Sequence, residues 1–393
     1  MSSRSYQSLT AREAAAQLPL GWQVDDGTLV AVYRTGTMVR SVQFVDAVTA
    51  AAEAADHHPD VEIHYGTVRL VLTTHAAGGL TDADVALAQM IAAIALEWRI
   101  EAMTEPGDRT LRLVWPQWQG AGAAGVADLF GEVALERARR GYAVGSQVLE
   151  AVLPPARGPV AHVVVDDVDE PATEGIESRG VVVESLESAL EALARNDFDK
   201  VLTLGGDCAV SVAPFAALAR EYGDDLAVIW IDSHPDVGTP DSEYNGYHAM
   251  AVAVLTGHGD EEIVDLLPAT IPADRVAIAG LHEWTDDDYP HLAEWGIVSF
   301  DPEQLRTSTA PLLTWLLSTG ASKVAIHLDV DVVDADEAAL GLGRVRGGLR
   351  IAEVQRVVRD VAATAEVVGL TVAEFIPRNV LPVQRLLEGL PLV

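Results

Sequence analysis

Cysteine is almost missing from this chain: Cys208 stands alone among 393 residues. A single thiol excludes an intramolecular disulfide framework and suits a reducing compartment. Basic residues are scarce as well, with 26 Lys and Arg against 59 Asp and Glu and a formal net charge of −33. Neutralising phosphates takes a basic face, so this balance argues against nucleic acid or an anionic membrane as a partner. Long apolar runs are lacking too. The longest, from Val85 to Trp98, is interrupted by Gln89 and Glu97 and is too short to span a bilayer. The first residues carry no apolar signal-peptide core. Together these absences predict a soluble, cytoplasmic protein.

What is present is core-forming material. Hydrophobic residues make up 49% of the chain, enough for a large interior and two domains. Residues 1–105 read as a small α+β domain: helix Thr10–Leu18, strands over Gly21–Tyr33 and Val39–Gln43, helix Phe44–Asp56, strand Glu62–Thr73 and helix Thr81–Trp98. Thr81-Asp-Ala-Asp84 has the form of a capping box, with acid in the first turn. Pro and Gly in Thr104–Asp108 mark a linker.

Residues 110–393 change to repeated strand–helix units. Strands are predicted at Leu111–Trp115, Val160–Val165, Lys200–Leu204, Leu226–Ile231, Arg275–Ala279, Ile297–Phe300, Lys323–Leu328 and Val367–Val372. Helices at Ser185–Asn196, Val210–Tyr222, Ala310–Ser318 and Ile351–Ala363 separate many of them. Continuous apolar strands linked by helices make an α/β domain, a parallel sheet covered on both faces. Ligands of such sheets bind beyond the carboxyl ends of the strands.

Two acidic clusters sit at those ends: Asp232-Ser-His234-Pro-Asp236 after one strand, and Asp329-Val-Asp331 after another. On extended backbone, alternate residues share a face, so each set can converge. Five such ligands in one place repel and lose hydration unless cations sit among them. One ion rarely needs so many anionic donors, and a two-metal hydrolytic site follows. His327, within the strand before Asp329, reads as a core histidine rather than a ligand. Gly120-Ala-Gly122-Ala-Ala-Gly125 imitates a dinucleotide fingerprint, but Pro116-Gln-Trp-Gln separates it from its strand and spoils the tight turn.

With Gly205-Gly206-Asp207-Cys208 before them and Glu374-Phe-Ile-Pro377 after, these clusters resemble the arginase/agmatinase (ureohydrolase) family over roughly residues 110–393. The resemblance implies a three-layer arginase-like fold and a dimanganese centre that supplies an activated water for attack on a guanidinium carbon. It assigns Asp232, His234, Asp236, Asp329 and Asp331 as metal ligands, with Cys208 where most members have histidine. A thiolate ligand there would favour Zn²⁺ or Fe²⁺ over Mn²⁺, whereas an inert thiol would leave one ion a ligand short. Glu374 would face the guanidinium, and His248, in Asn245-Gly-Tyr-His248, matches a proton-shuttling histidine. Each has a plainer reading, Glu374 in a salt bridge and His248 at a helix start. The positions that hold an amino-acid head group align with Gly238 and near Thr285, so free L-arginine is not the expected substrate.

The first domain carries a second set. Glu53, His57-His58-Pro59, Tyr65, His75 and Asp84 are similar, without a gap, to the signature of pterin-4a-carbinolamine dehydratases. The resemblance implies dehydration of 4a-hydroxytetrahydrobiopterin, with His57, His58 and His75 as the acid–base and pterin-contacting set. Asp84 would orient one imidazole or serve only as a first-turn charge. Two readings of the whole chain lead, beside a third, motivated by Cys208, in which an inactive ureohydrolase acts as a scaffold. Either a metal-dependent hydrolase of a guanidino compound is fused to an active dehydratase, or the first domain is a non-catalytic oligomerisation or regulatory module. A homo-oligomer acting on small molecules is expected in both.

Overall fold

In a computed structural model of the chain, residues 6–15, 17–25, 27–103, 109–123, 138–156 and 158–393 are described. The expected linker at 104–108 and Gly125 of the glycine-rich stretch lie outside them. The chain divides into two compact units, Met1–Gly107 and Asp108–Val393.

The first unit is a five-stranded antiparallel sheet: β1 (Trp22–Asp25), β2 (Thr28–Arg34), β3 (Asp60–His64), β4 (Thr67–Leu72) and β5 (Glu101–Met103). β1 and β5 pair with successive halves of one edge of β2, β4 takes the other edge, and β3 pairs only with β4. Leu29, Ala31 and Tyr33 of β2 and Val68, Leu70 and Leu72 of β4 alternate onto one face. They meet Phe44, Val48 and Ala52 from helix Met38–Ala55, and Val85, Ala88, Ile91 and Ala95 from helix Asp82–Glu97. These intervals of three and four residues are one helical face.

Two expectations change here. The predicted strand Val39–Gln43 is the first turns of helix Met38–Ala55. Its β-branched valines suggest a strand locally, but Val39 and Val42 are exposed, and the buried Ser41, Phe44, Val48 and Ala52 set the period. Thr37 caps the helix by accepting from the Arg40 N–H. The predicted strand Glu62–Thr73 is a hairpin, β3 and β4, turning at Tyr65-Gly66, where Gly66 takes φ +78°. That left-handed conformation is open to glycine at little cost, and it reverses the chain.

All eight strands expected in the second unit form, as β6 (Thr110–Trp115), β7 (Val160–His162), β8 (Lys200–Gly205), β9 (Leu226–Ile231), β10 (Val276–Ala279), β11 (Val298–Phe300), β12 (Lys323–Asp329) and β13 (Glu366–Ala373). They make one sheet, ordered β11-β10-β9-β12-β13-β8-β6-β7, with every pairing parallel. Leu226, Val228 and Trp230 of β9 enter one core, while Ala227, Ile229 and Ile231 enter the core on the opposite face. Burial on both faces is why these strands read as unbroken apolar runs. In the order β9-β12-β13-β8, four adjacent strands end immediately before or within the acidic and Gly205–Cys208 patches. Among the described residues, no helix is long and apolar enough to cross a membrane.

Candidate functional site

Asp232 follows the last residue of β9, Asp329 ends β12, Glu374 follows β13 and Cys208 lies three residues beyond β8. Parallel pairing puts these ends side by side. The expected alternation on extended backbone does not hold, because the strands stop too early. β9 ends at Ile231, residues 232–234 are bent, and Asp236 has φ +49°. Val330–Val332 is a 3-10 turn in which the Asp331 N–H donates to Asp329 Oδ1 at 2.7 Å. Loop curvature, not strand alternation, brings these side chains together.

They gather around Asp232. His234 and Asp331 join it in one group, and Cys208, Asp236 and His327 join it in another, each group offering ligand atoms within 4.8 Å of one another. The two carboxylate oxygens divide the work. Oδ1 lies 3.5 Å from His234 Nδ1, whereas Oδ2 lies 3.9 Å from Cys208 Sγ and 3.8 Å from His327 Nε2. Asp329 touches the second group through its Oδ2, 3.1 Å from Cys208 Sγ. A third group joins Cys208 to His248 and Glu374.

Burial and mutual repulsion hold Asp232, Asp236 and Asp329 above the ordinary carboxylate range. Burial first, then the surrounding carboxylates, push the Cys208 thiol well up. Asp331 is the exception: burial opposes its charge, but His234 and Ser233 outweigh it and hold it low. Two buried atoms facing the cluster, Asp236 Oδ2 and His327 Nε2, have no hydrogen-bond partner among the described residues. Carboxylates, imidazoles and a thiol crowded at such distances, with two buried atoms left unpartnered, are a donor set that divalent cations fit.

Supporting contacts orient the donors. His234 turns Nδ1 toward Asp331 Oδ2 at 3.2 Å and Nε2 toward Glu283 at 3.3 Å, so a carboxylate faces each ring nitrogen. Ser233 Oγ donates to Asp331 Oδ1 at 2.6 Å, and Trp230 Nε1 donates to Asp232 Oδ2 at 3.0 Å. His248 bridges Tyr244 Oη at 2.8 Å and Glu374 Oε1 at 3.0 Å. Burial opposes a charge on His248, yet Tyr244, Glu374 and Asp236 outweigh it and raise its pKa well above the ordinary value. Glu374, at φ +64°, also accepts the Cys208 N–H at 3.2 Å, so it joins two loops.

The glycine-rich stretch lies against this site. The Gly120 N–H donates to Asp207 Oδ2 at 2.9 Å, and a Cβ on Gly120 would stand 2.5 Å from the same oxygen. The Gly122 N–H donates to Tyr244 Oη at 2.8 Å. Sequence reasoning did not identify the bracing roles of Trp230, Ser233 and Asp207. Ser233 sits inside the acidic patch, the one available signal; nothing marks Asp207 except its place beside Cys208.

In the first unit, His57 is buried and its Nε2 lies 2.7 Å from Asp84 Oδ1. Asp84 Oδ2 accepts from the Thr81 N–H at 2.7 Å and from Thr74 Oγ1 at 2.8 Å. Both expected uses of Asp84 therefore coexist: it closes the capping box and binds an imidazole. His58 is exposed and paired with Glu53 at 3.0 Å. His75, also exposed, begins a short 3-10 turn directly after Thr74. Among the described residues, no hydrogen bond ties His58 or His75 to the His57–Asp84 pair.

A two-sided parallel sheet with a carboxylate-rich centre at its strand ends defines an arginase-like hydrolase fold, and comparison with known proteins agrees. The arginase family profile matches residues 133–380 and the pterin 4 alpha carbinolamine dehydratase profile matches residues 7–94. The chain belongs to the arginase family, as a fusion that also carries an N-terminal domain of the pterin-4a-carbinolamine dehydratase family. It is 28% identical to a Staphylococcus aureus arginase over 158 residues, 39% of this chain and 52% of that protein. A putative pterin-4-alpha-carbinolamine dehydratase of Chloroflexus aurantiacus is 47% identical over 79 residues, 20% of this chain and 84% of that protein. The chain thus spans about half the length of the curated arginases it matches first. Among solved structures, Entamoeba histolytica arginase in complex with L-ornithine shares the fold with a TM-score of 0.57 at 16% identity, over 72% of this chain and all of that one. Bacillus caldovelox arginase gives 0.51 at 19% identity, over 68% of this chain and 91% of that one.

The raised Cys208 pKa and its burial make one outcome measurable without substrate. At neutral pH the metal-free protein should keep this thiol protonated and slow toward an alkylating reagent, and denaturation should release it. Because the chain has a single cysteine, total labelling reports this site alone. Rapid labelling of the folded, metal-free protein would show the thiol to be exposed or ionised.

Proposed function

We propose that the second unit hydrolyses a guanidino or related C–N compound at a two-metal centre. Asp232, the residue common to the two ligand groups, is the observation that carries the reading, because a shared carboxylate is how two ions are held together. Asp236 and Cys208 would complete one side and His234 and Asp331 the other, with Asp329 between them, its Oδ2 3.1 Å from Cys208 Sγ and its Oδ1 accepting the Asp331 N–H. Bound there, divalent ions would offset the carboxylate repulsion and make water nucleophilic at neutral pH. Mn²⁺ is the family's ion, and Cys208 would draw the preference toward Zn²⁺ or Fe²⁺.

The chain's own residues supply the rest. Glu374, partly covered by His248 and Cys208, would accept N–H groups of a planar guanidinium. Addition of water to the guanidino carbon and cleavage of a C–N bond give urea and an amine, and the amine must gain a proton as it leaves. His248, held between Tyr244 and Glu374 and kept protonatable by them, is placed to deliver it. Gly238 offers no side chain to an amino-acid head group, and a Cβ there would already lie 3.3 Å from Asp288 Oδ2. A guanidino compound without a free α-amino acid head is therefore the proposed substrate class.

The first unit would dehydrate 4a-hydroxytetrahydrobiopterin. One proton goes to the departing 4a-hydroxyl and one leaves a ring nitrogen, so water is lost without a metal. His57, fixed by Asp84, with His58 and His75 at the surface, would share these transfers. One observation favours the non-catalytic alternative: β3, wholly exposed and paired on only one side, carries Val61 and Ile63, with exposed Tyr65 just beyond, a face that a second copy could cover.

Asp232→Ala or Asp331→Ala should abolish urea release and lower the metal content measured by elemental assay, with far-UV circular dichroism retained. Metal-free but fully active wild-type protein would defeat the two-metal reading. In a substrate panel with urea detection, L-arginine should turn over less efficiently than guanidino compounds lacking the α-amino acid head. Efficient arginine turnover would mean that other residues hold that head group. His58→Ala or His75→Ala should slow carbinolamine dehydration by roughly 10²–10⁴-fold while urea release is unchanged. A wild-type protein that neither binds a pterin nor dehydrates it would support the oligomerisation module instead.

A further inference from the structure

We infer that His327 is itself a metal ligand, and that with Cys208, Asp232 and Asp236 it builds a four-donor thiolate–imidazole–carboxylate site unlike the oxygen-rich group around His234 and Asp331. The inference rests on the two-ion reading of the centre and assigns one ion's full ligand set.

The imidazole is fixed on every side but one. Its ring stacks on Trp230 with centroids 3.6 Å apart and planes 12° from parallel. Nδ1 lies 2.8 Å from Ser211 Oγ, and the whole residue is inaccessible to solvent. The stacking fixes the plane of the ring and the Ser211 contact fixes which way it is flipped, so Nε2 is held in one direction. In that direction it has no hydrogen-bond partner; Asp232 Oδ2, at 3.8 Å, is beyond hydrogen-bond reach. Asp236 Oδ2 is a second buried atom without a partner in the same group.

Leaving two such atoms unpaired in the interior is costly. A cation satisfies both at once. If Ser211 Oγ accepts the Nδ1 proton, Nε2 presents its lone pair, the arrangement that orients ligating histidines. A tetrahedral ion with bonds of about 2.0–2.3 Å sets its donors roughly 3.4–3.7 Å apart. The ligand atoms of Cys208, Asp232, Asp236 and His327 lie within 4.8 Å of one another, with Asp232 Oδ2 3.9 Å from the thiol and 3.8 Å from the imidazole. Small movements close that set on an ion. One thiolate, one imidazole and two carboxylates favour Zn²⁺ or Fe²⁺ over Mn²⁺ at this position.

The test strips the full-length protein of metal and titrates it with Co²⁺. The wild type should take up two ions per chain, one of them giving intense visible bands of a tetrahedral site and a near-ultraviolet sulfur-to-cobalt transition. His327→Ala should lose that ion and its bands and keep the other, and added imidazole should restore them. His327→Gln retains a hydrogen-bond donor toward Asp232 but is a poor ligand, so it should behave like the alanine variant. If His327 only braces Asp232, affinity would fall by about 10–100-fold, the bands would survive saturation, and glutamine would substitute for histidine. That result overturns the inference and leaves the two-metal hydrolase standing. Failure of the wild type to bind any Co²⁺ overturns both. Should either variant not fold, wild-type protein with isotope-labelled histidine nitrogens and bound Cd²⁺ decides the matter. Direct metal–nitrogen coupling on both His234 and His327 is expected, and coupling on His234 alone rejects the inference.

Discussion

Asp232, Asp236, Asp329 and Asp331 are all buried, and their repulsion across a few ångströms is the constraint to which the second unit is shaped. In a low-dielectric interior such charges cannot coexist unpaired. The protein holds them together with donors aimed from its own framework: Trp230 at Asp232, Ser233 at Asp331, and the Asp331 N–H at Asp329. A soft or mobile scaffold would let the group relax apart. The two-sided apolar sheet prevents this, because Ile229, Ile231, Ile326 and Leu328 are locked in one core and Trp230 in the other. Cations bound there, as proposed, would relieve that repulsion.

The surrounding contacts divide this centre into a His234 side and a His248 side. His234, braced by Glu283, faces Asp331, whereas His248, braced by Tyr244, faces Glu374. Both imidazoles are held at both nitrogens, but by different partners, and the partners determine their use. Cys208 lies between the two sides, near Asp329 through its thiol and hydrogen-bonded to Glu374 through its N–H. A substitution at this position would disturb the contacts to Asp329 and Glu374 together.

The chemistry proposed for the first unit requires less. Loss of water from a carbinolamine needs proton transfer and no strong electrophile, so imidazoles suffice. His57–Asp84 is anchored into the cap of helix Asp82–Glu97, which makes the local fold and the proposed chemistry depend on the same carboxylate. Its two oxygens have separate tasks: Oδ1 faces the imidazole, and Oδ2 holds Thr74 and Thr81.

Much of this was legible from the sequence. Apolar runs bounded by turns located all eight strands of the large sheet, since burial on both faces leaves an unmistakable signature. The acidic patches marked the strand ends, and the capping box at Thr81 announced its helix. Local propensity misled where tertiary contact ruled: Val39 and Val42 favour a strand, but the packing of Phe44 and Val48 makes a helix. The convergence of Asp329 and Asp331 was foreseen for the wrong reason, because a 3-10 turn rather than strand alternation produces it. Only the folded chain could divide the donors into groups around Asp232 or turn His327 toward them. Those facts depend on which strands become neighbours, on the direction of buried rings and on the curvature of loops. Such contacts join residues up to 166 positions apart, as Cys208 and Glu374 are, and no local pattern encodes them.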